Sequence, residues 1–452
     1  MNRVVQKTYD IVVIGGGPGG IPAAVAAARR GHKVLLVERN SFLGGAATSG
    51  LGILGYLDRQ GKKALGGIAQ ELMDRLEEMH GAMGHFRCPV HNSISPISPE
   101  CFKIVAVEMC REAGAEILFN NELLDVMVDN GKIKTVTVYG KCVRTVLTAK
   151  VFIDATGDGD LAYLAGAPYV SGQDDTGIMQ PATLMFTVTN YDLEKLLFYA
   201  EQHPEDFGIK EDYAKGYNPD FFRATPGHCF IGLTEMIRRA KAAGDFDVPR
   251  NQFIYITTPT EGELAINTSR ITNIDASDVY QLSDGLTMGY EQVHELLRFM
   301  NKYIPGFEHA QLSMIAPSLG VRETRHFKGC FRLTRDNMYS EEVRQQAVAQ
   351  SAYNIDVHSG VKDHIDLTPI DRPFGIPYGC MVPVQTDGLL LSGRTICLDT
   401  ATYASARVMG PCIAVGEAVG EAAALCIEQQ IEPRAVDLVV LQERLRKNGN
   451  LF

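Results

Sequence analysis

A glycine-rich loop at residues 15–20 (GGGPGG) constrains the fold of this chain more than any other feature of its sequence. The run before it, residues 9–14 (YDIVVI), is apolar and β-branched, which is typical of a buried parallel strand. Residues 21–30 are rich in alanine and predict a helix that ends at Gly31. Residues 33–37 (KVLLV) predict the next buried strand, so the loop belongs to a right-handed βαβ unit.

The spacing Gly15-x-Gly17-x-x-Gly20, placed after a strand and before a helix, predicts a dinucleotide-binding site. The first glycine permits a tight turn, the second lets the backbone approach a pyrophosphate, and the third permits close packing of helix on strand. The amides and dipole of the helix N-terminus favour the phosphates. Glu38 follows the second strand, where its carboxylate is placed to bind ribose hydroxyls and disfavours the 2′-phosphate of NADP. The loop alone does not distinguish NAD from FAD.

Two further stretches of small residues favour a longer cofactor. Residues 43–48 (LGGAAT) follow the second strand, where small side chains let the chain run beside an extended ligand. Residues 154–160 (DATGDGD) end a returning strand at the carboxyl edge of the same sheet, where ligands bind in such folds. In this turn the predicted cofactor contacts are Ala155, Gly157 and Asp160.

Several stretches, in one order along most of the chain, resemble the FAD-dependent oxidoreductases, relatives of the flavoprotein subunits of fumarate reductase and succinate dehydrogenase. They read DIVVIGGGPGG…VLLVERNSFLGGAATSG, FIDATGDGDLAYLAG, VRETRHFKGCFRLT, DVHSG and IPYGCMVP…GLLLSGRTICLDTATYASARVMGPCIAVGEAVGEAAAL. Residues 192–250 carry no such match. The resemblance implies a glutathione-reductase-type fold that holds FAD non-covalently.

The resemblance also implies roles for particular residues at the cofactor. These are Gly15, Gly17, Pro18, Gly19 and Gly20 at the pyrophosphate, Glu38 and Arg39 at the adenosine ribose, Gly44, Gly45, Ala46 and Ala47 beside the ribityl chain and flavin, Leu123 along adenine, and Gly393 and Arg394 in a second cofactor motif. Many relatives carry Gly-Asp in that second motif, with the aspartate on the ribityl chain. Gly-Arg removes that acceptor, which leaves the partner of the ribityl hydroxyls open.

The last predicted helix, residues 411–429, begins within the stretch RVMGPCI. The predicted cofactor contacts here are Arg407, Gly410, Pro411 and Ile413. Proline suits a first helical turn, and the helix dipole stabilises negative charge on N1 and O2 of a reduced flavin. Because accepting hydride leaves charge that needs such a partner, this helix favours FAD over a nicotinamide cofactor.

The predicted fold class is α/β: a Rossmann-type FAD-binding domain with a parallel sheet and a β-meander, plus a second mixed α+β substrate or cap domain. Three strand-like runs between residues 123 and 147, with the hairpin signal Asn130-Gly131, predict the meander. We expect the FAD-binding domain at residues 1–182 and 370–452, and the cap domain at residues 183–369.

Three residues are candidates for catalysis: Arg322, His326 and His358. A strand in VRETRH would place Arg322 and His326 on one face, where they could bind a carboxylate. The other face would carry Glu323 and Arg325, and an internal ion pair between these two is the structural alternative. His358 beside a flavin would be a proton donor or acceptor near neutral pH. Weaker candidates are His364, Tyr378 and Tyr403.

Composition bounds the partners of the chain. The net charge of −11, from 43 basic and 54 acidic residues without a basic stripe, disfavours nucleic acid. The ten cysteines form no C-x-x-C pair or metal-ligand spacing, so we expect buried free thiols, no metal and no iron–sulfur cluster. The apolar run at residues 21–28 is too short to span a bilayer. We therefore expect a cytoplasmic protein without a membrane partner.

These features together predict an FAD-dependent oxidoreductase that transfers hydride between flavin N5 and a small organic substrate. Two directions stay open: oxidation of a CH–OH, CH–NH or CH–CH unit, and reduction of an activated C=C. The alternative from another class is a non-redox or regulatory flavoprotein that uses FAD structurally. The substrate, the final electron acceptor and the oligomeric state stay open, because fold-level likeness does not determine them.

Overall fold

The computed structural model describes residues 3–208, 214–361 and 365–452. Its strands are, in chain order, β1 (Arg3–Thr8), β2 (Ile11–Ile14), β3 (Val34–Val37), β4 (Ile53–Leu54), β5 (Phe86–Cys88), β6 (Asn92–Ser95), β7 (Glu116–Leu118), β8 (Glu122–Asp129), β9 (Lys132–Gly140), β10 (Val143–Thr148), β11 (Val151–Asp154), β12 (Tyr169–Ser171), β13 (Phe186–Thr189), β14 (Cys229–Gly232), β15 (Phe253–Thr257), β16 (Leu264–Ile266), β17 (Gln311–Ile315), β18 (Arg325–Phe327), β19 (Ala347–Ser351), β20 (Ile355–His358), β21 (Ile365–Thr368), β22 (Phe374–Pro377) and β23 (Leu389–Leu391). The α-helices are α1 (Gly20–Arg29), α2 (Gly67–Glu78), α3 (Pro99–Ala113), α4 (Asp160–Leu164), α5 (Leu193–Gln202), α6 (Pro219–Ala224), α7 (Thr234–Ala242), α8 (Val279–Tyr303), α9 (Glu341–Gln346), α10 (Thr400–Ala406), α11 (Met409–Gln429) and α12 (Leu438–Lys447).

A parallel sheet in the order β23-β11-β2-β3-β7 carries the glycine turns. Strands β2, β3 and β11 are buried at every residue, as their apolar sequences predict for a sheet covered on both faces. Ile14, the last residue of β2, pairs with Val37 on one side and with Asp154 on the other. The turns that follow these three strands therefore leave the sheet at one edge. This arrangement confirms the predicted α/β class with a parallel sheet.

The β-meander forms a separate sheet in the order β1-β10-β9-β8. The β8–β9 hairpin turns at Asn130 (φ 51°) and Gly131 (φ 75°), the left-handed conformation that an Asn-Gly hairpin turn requires. Strand β1 pairs in parallel with β10 and is not predicted by the sequence pattern. The reason is that β1 is mostly exposed and lacks the apolar signal of a buried strand.

A second large sheet, in the order β14-β15-β16-β13-β17, is antiparallel throughout. It shares a hydrophobic cluster with side chains of α7 and α8, among them Ile237 and Phe299. The parallel sheet, the meander and α11 share a different hydrophobic cluster, which we name the first cluster. It also contains Phe327 and Val348. Residues from the late part of the predicted cap thus contribute to the first cluster. The division at residues 183–369 stays a prediction.

Helix α11 runs through the first cluster. By length and composition it could cross a membrane, yet 94% of its most apolar window is buried inside the protein. A Cβ on Gly416 would lie 2.3 Å from the Gly19 carbonyl oxygen, and one on Gly420 would lie 2.4 Å from the Ala23 carbonyl oxygen. These glycines let α11 pack directly on α1. The C-terminal part of the chain therefore lies against the first glycine loop.

Candidate cofactor and active site

Four of the five glycines in the first loop are tightly packed, and the fifth, Gly17, faces open space among the described residues. A Cβ on Gly15 (φ 105°) would lie 2.3 Å from the Ala155 carbonyl oxygen, and one on Gly20 would lie 1.8 Å from the Gly15 carbonyl oxygen. A Cβ on Gly17 would meet no described atom closer than Gly45 Cα at 3.9 Å, apart from its chain neighbours. The loop is therefore packed on both sides of Gly17 and clear at Gly17 itself. This arrangement fits the backbone approach of a pyrophosphate.

Glu38 is buried at the end of β3, as predicted, and its carboxylate is almost fully used by the chain itself. Its Oε2 accepts from the Gly16 amide at 2.7 Å. Its Oε1 accepts from the amide and the side chain of Asn40 at 2.8 and 2.7 Å. A carboxylate offers about four acceptor positions. One position remains, which fits a ribose hydroxyl.

The predicted adenosine residues gather around Glu38. The start of β8 lies beside it, because the Asn121 amide donates to the Glu38 carbonyl at 3.2 Å. Leu123, two residues farther along β8, is half-buried. Arg39 is exposed at the surface next to Glu38. The end of β3 and the start of β8 thus lie side by side, and the adenosine contacts of Leu123 and Arg39 stay a prediction.

The segment that follows β3 is tied to the first loop. The Gly44 amide donates to the Gly16 carbonyl at 2.8 Å. Gly44 and Gly45 have φ values of 124° and 49°, where a side chain would be strained. Ala46 is exposed and Ala47 is buried. Small residues thus let this segment run beside the loop, as an extended cofactor would require.

An ion pair that the sequence did not predict joins two glycine turns. The second turn is residues 154–160, after β11, and the third turn is Gly393 and Arg394, after β23. Arg394 Nη2 donates to Asp158 Oδ1 at 2.7 Å, and the same oxygen accepts from Thr324 Oγ1 at 2.9 Å. The guanidinium lies directly over Gly157, because a Cβ there would be 3.2 Å from Arg394 Nη2. Arg394 Nε is buried and has no hydrogen-bond partner among the described residues. A carboxylate therefore reaches the third turn from Asp158.

The third turn also touches the first. A Cβ on Gly19 would lie 2.8 Å from Ser392 Oγ and 2.9 Å from the Gly393 amide nitrogen. Ser392 Oγ donates to the Gly19 carbonyl at 2.9 Å. The predicted pyrophosphate loop and the predicted second cofactor motif therefore form one continuous surface.

Asp160 and Ala155, both predicted cofactor contacts, serve the chain's own packing. Asp160 Oδ1 accepts from Arg325 Nη1 at 2.9 Å. Burial, and then the nearby Asp158 carboxylate, raise the pKa of Asp160. Ala155 packs on the first turn, where its Cβ would lie 3.1 Å from a Cβ on Gly20.

The N-terminus of α11 lies against the loop that follows β4. A Cβ on Gly410 would lie 2.4 Å from the Leu54 carbonyl oxygen, and a Cβ on Gly55 would lie 3.1 Å from Pro411. In the part of the chain that the structure describes, no side chain caps the first turn of α11. Its free amides and dipole therefore favour a negative charge there. Ile413 is buried in the first cluster. These features fit the predicted partner of a reduced flavin.

A buried polar cluster surrounds His358 at the end of β20. Asp356 Oδ2 lies 3.1 Å from His358 Nε2 and accepts from the Tyr353 hydroxyl at 2.8 Å. The Gln180 Oε1 atom accepts from the His358 amide at 3.2 Å. Burial lowers the pKa of His358 to about 3, in spite of the neighbouring Asp356 carboxylate. The imidazole is therefore neutral at pH 7.

Two of the predicted arginines enter this cluster. Arg407 Nη2 donates to the Asp356 carbonyl at 3.0 Å and lies 3.6 Å from Asp356 Oδ2. Arg322 Nη1 donates to the Pro181 carbonyl at 2.6 Å, next to Gln180, and forms no ion pair with a described carboxylate. Burial and neighbouring guanidiniums, of which Arg407 is the strongest, lower the pKa of Arg322 to about 9. Arg322 therefore stays charged at pH 7, and the cluster favours an anion.

Glu323, whose Oε2 accepts from the Gln180 amide at 3.1 Å, joins His326 to this cluster. His326 Nε2 lies 3.0 Å from Glu323 Oε1, and its ring packs edge-on against Tyr403 at 4.2 Å between centroids. The shared face expected for Arg322 and His326 is wrong, because β18 begins only at Arg325. The alternative ion pair between Glu323 and Arg325 is wrong too, because Arg325 pairs with Asp160.

The weaker candidates have structural contacts or no description. Tyr378 donates its hydroxyl to the Pro433 carbonyl at 2.9 Å, and Tyr403 donates its hydroxyl to the Arg322 carbonyl at 2.6 Å. His364 lies outside the described residues. In the part of the chain that the structure describes, no group of three or more His, Cys, Asp or Glu could hold a metal ion. The ten cysteines are free.

Three functional candidates were missed by sequence reasoning: Asp158, Gln180 and Asp356. Asp158 lies within the DGD turn, between two predicted contacts, and Asp356 opens the DVHSG stretch that suggested His358. Both could have been found by asking which carboxylate orients a predicted histidine or arginine. Gln180 carries no sequence signal.

Comparisons with known proteins agree with this geometry. The family model described as FAD dependent oxidoreductase matches residues 10–445. The thiamine thiazole synthase of Aeropyrum pernix is 33% identical over 159 residues, which are 33% of this chain and 54% of that protein. Aklavinone 12-hydroxylase of Streptomyces peucetius subsp. caesius is 26% identical over 291 residues, 52% of this chain and 55% of that protein. The chain thus spans about half the length of these two relatives.

A solved structure extends the likeness to the fold as a whole. The p-nitrophenol 4-monooxygenase of Pseudomonas putida DLL-E4 aligns with 98% of this chain and 84% of its own, at a TM-score of 0.50 and 12% identity. At that identity the match shows a shared fold and nothing about the substrate.

Proposed function

Since this chain belongs to the FAD dependent oxidoreductase family, we propose that it transfers hydride between flavin N5 and a small organic substrate that carries a carboxylate. FAD is the cofactor, and the protein is an enzyme. The observation that carries the proposal is the buried cluster of Arg322, Arg407 and His358. Guanidiniums bind carboxylates through paired charged hydrogen bonds, and this cluster holds more positive than negative charge.

The cofactor residues follow from the surface formed by the three glycine turns. The loop around Gly17 would hold the pyrophosphate, and Glu38 the ribose. The segment Gly44 to Ala47 would run beside the ribityl chain, with Arg394 near it. The first turn of α11 would stabilise negative charge on the reduced ring. When bound, FAD supplies a two-electron acceptor or donor at N5.

The direction of the reaction is part of the proposal. The likeness to fumarate reductase flavoproteins favours reduction of an activated C=C, whereas a neutral His358 favours removal of a proton during oxidation. The matched relatives are named as a thiazole synthase and a hydroxylase, so the named activities differ among proteins that resemble this chain. The cytoplasmic location and the lack of nucleic-acid and membrane partners, expected from the sequence, also belong to this proposal.

The visible spectrum of the purified protein tests the cofactor assignment. A yellow protein that releases FAD on heating, identified by mass, supports non-covalent binding. Anaerobic bleaching of the flavin by a small molecule then separates a redox enzyme from a protein that uses FAD structurally. A flavin that exchanges electrons with no organic donor or acceptor contradicts the proposal.

Paired substitutions test the site. Arg322→Met and His358→Gln are expected to slow bleaching by the true substrate about a hundredfold or more while FAD stays bound. The matched control is Arg298→Met, at an exposed position on α8. Wild-type rates in both site variants would show that the cluster is not the active site.

A further inference from the structure

The cluster around His358 contains both buried hydrogen-bond donors and a buried hydrogen-bond acceptor that lack partners among the described residues. His358 Nδ1, Gln180 Nε2 and Arg407 Nε have no hydrogen-bond partner among the described residues. All three side chains are about nine-tenths buried or more, with His358 at 6% exposed, Gln180 at 3% and the Arg407 side chain at 10%. Buried polar groups without partners cost free energy. A ligand that satisfies them must offer both a donor and acceptors.

The hydrogen bonds of the cluster determine which of these atoms accepts. His358, Arg407 and the Tyr353 hydroxyl together hold the pKa of Asp356 below its usual range in spite of its burial, so the carboxylate can only accept from His358 Nε2. The proton of the neutral imidazole therefore lies on Nε2, and Nδ1 carries a free lone pair. Gln180 Nε2 and Arg407 Nε are donors by chemistry.

Gln180 forms hydrogen bonds with both His358 and Arg407. Gln180 Oε1 accepts from the His358 amide at 3.2 Å and from Arg407 Nη2 at 3.4 Å. The next residue, Pro181, accepts from Arg322 through its carbonyl at 2.6 Å. Gln180 and Pro181 thus place a lone pair, an amide donor and two guanidiniums in one neighbourhood.

The charges in the site further restrict the class of ligand that could bind there. Arg407, Arg250 and Arg270 all act on Arg322, and Asp356 is the carboxylate that acts against them. An ammonium group would be repelled here, whereas a carboxylate would be attracted. Amino acids are therefore disfavoured, and a neutral donor such as a hydroxyl suits His358.

We infer that the substrate is a 2-hydroxycarboxylate, oxidised with its carboxylate on Arg322 and Arg407 and its hydroxyl donating to His358 Nδ1. This inference rests on the proposed function and names its substrate class and direction. The substrate hydroxyl would donate to the acceptor His358 Nδ1. The carboxylate on the adjacent carbon would accept from the neighbouring guanidinium donors of Arg322 and Arg407.

The reaction balances with FAD as the oxidant. The C2–H bond breaks and its electron pair leaves with the hydrogen as hydride to N5. The hydroxyl proton passes to His358 Nδ1 while the C2–O bond becomes a double bond. The substrate loses two electrons and becomes a 2-oxocarboxylate, and FAD gains those two electrons. Asp356 stabilises the charged imidazole that forms, as carboxylates do for catalytic histidines.

Binding of an unreactive probe tests the recognition without turnover. 2-Hydroxyisobutyrate has the hydroxyl and the carboxylate but no C2 hydrogen, and isobutyrate lacks only the hydroxyl. Calorimetry on the holoenzyme is expected to show at least about tenfold tighter binding of 2-hydroxyisobutyrate, which is the worth of one buried hydrogen bond. His358→Gln is expected to remove this preference, and Arg322→Met to weaken both ligands. Equal binding of the two acids to the wild-type protein would overturn the inference, as would an unchanged preference in His358→Gln.

Anaerobic flavin bleaching tests the direction. Both enantiomers of lactate, 2-hydroxyglutarate and mandelate are compared with their methyl esters, with the matching amino acids and with simple alcohols. Bleaching by a 2-hydroxy acid but not by its ester supports the inference, and a slower rate with the C2-deuterated acid confirms C2–H cleavage.

Two other results separate the inference from the proposed function. Bleaching only by alcohols or amines, or reoxidation of the reduced enzyme only by a 2-enoate, overturns the inference and leaves the proposed function standing. If no compound exchanges electrons with the flavin, both fail.

Discussion

Gly17 and Gly20 lie three residues apart and perform different tasks. Gly20 is packed against the Gly15 carbonyl, where a Cβ would approach to 1.8 Å. Gly17 faces open space, with Gly45 Cα at 3.9 Å as the nearest described contact of a Cβ. Gly20 is therefore required for packing of the chain itself, whereas Gly17 leaves space for a ligand.

Alanine substitutions at these two positions are expected to separate stability from cofactor binding. Gly20→Ala should destabilise the apoprotein by about 1–3 kcal/mol, the usual cost of overpacking. Gly17→Ala should leave the stability of the apoprotein nearly unchanged and weaken FAD binding about tenfold or more, because its methyl group occupies the approach to the pyrophosphate. Urea unfolding and quenching of FAD fluorescence measure the two effects. An unchanged FAD affinity in Gly17→Ala would contradict the assignment of the loop.

The Asp158–Arg394 pair makes a second residue-scale prediction. Arg394→Met is expected to weaken FAD binding about tenfold, because methionine lacks the Nε donor that Arg394 can offer to the cofactor. Asp158→Asn should weaken it less and should add little in the double variant, because both act through one pair. Equilibrium dialysis of FAD provides the measurement, with Arg298→Met as control. Additive losses would mean that the two residues act separately.

Single residues were predicted well where a glycine motif marked them and poorly where the partner lies far away in sequence. Asp158 and Arg394 are separated by 236 positions. Gln180 reaches His358 across 178 positions. Such contacts are decided by how the elements pack, and no local pattern of residue types encodes them.

Among the elements, α2 and α11 share a buried carboxylate. Glu417 of α11 is 1% exposed, and its Oε2 accepts from the Ile68 amide in the first turn of α2 at 2.7 Å. It thus satisfies an amide that the helix start would leave free, which is what a capping side chain does. Burial raises the pKa of Glu417 to about 7.

This raised pKa predicts a stability that falls as pH rises. The unfolded chain loses the Glu417 proton near pH 4.5 and the folded chain near pH 7, so between these values only the folded chain holds it. The full loss is on the order of 3 kcal/mol at about 1.4 kcal/mol per pKa unit. Glu417→Gln should therefore gain stability relative to the wild type between pH 5 and pH 8. Urea unfolding at both pH values checks this, with the exposed Glu291→Gln as control. A difference that does not change with pH would rule out the titration of Glu417.

Elements with strong patterns were predicted and elements shaped by side-chain contacts were not. The run FIYIT and the helix PECFKIVAVEMCREA have the bounds that their apolar patterns indicate. The stretch VRETRH does not form a strand from its first residue. Strand β18 begins only at Arg325, so the alternation of faces does not apply to Arg322.

For the molecule as a whole, the candidate site joins both ends of the chain to the second sheet. The turns after β2, β11 and β23 lie together, and Arg322 reaches Pro181 and Thr183 just before β13. Ligand binding here should therefore stabilise several distant segments at once.

Added FAD is expected to raise the thermal midpoint of the apoprotein. A ligand that binds only the folded chain adds about 2.7 kcal/mol at a free concentration of 100 Kd. Circular dichroism at increasing FAD concentrations measures the shift, and riboflavin, which lacks the pyrophosphate and adenosine, is the control. An equal shift with riboflavin would place the binding energy outside the glycine turns.

The packing of α11 on α1 has a consequence for how the protein is made. The first glycine loop leaves the ribosome more than three hundred residues before β23 and α11, which complete its surroundings. At about 5–20 residues per second this delay is on the order of tens of seconds. During that time the nascent chain displays a phosphate-binding turn without the helix that covers it. We therefore expect a truncated chain that ends before β23 to stay colourless, because it lacks the strand and the helix that complete the surroundings of the loop.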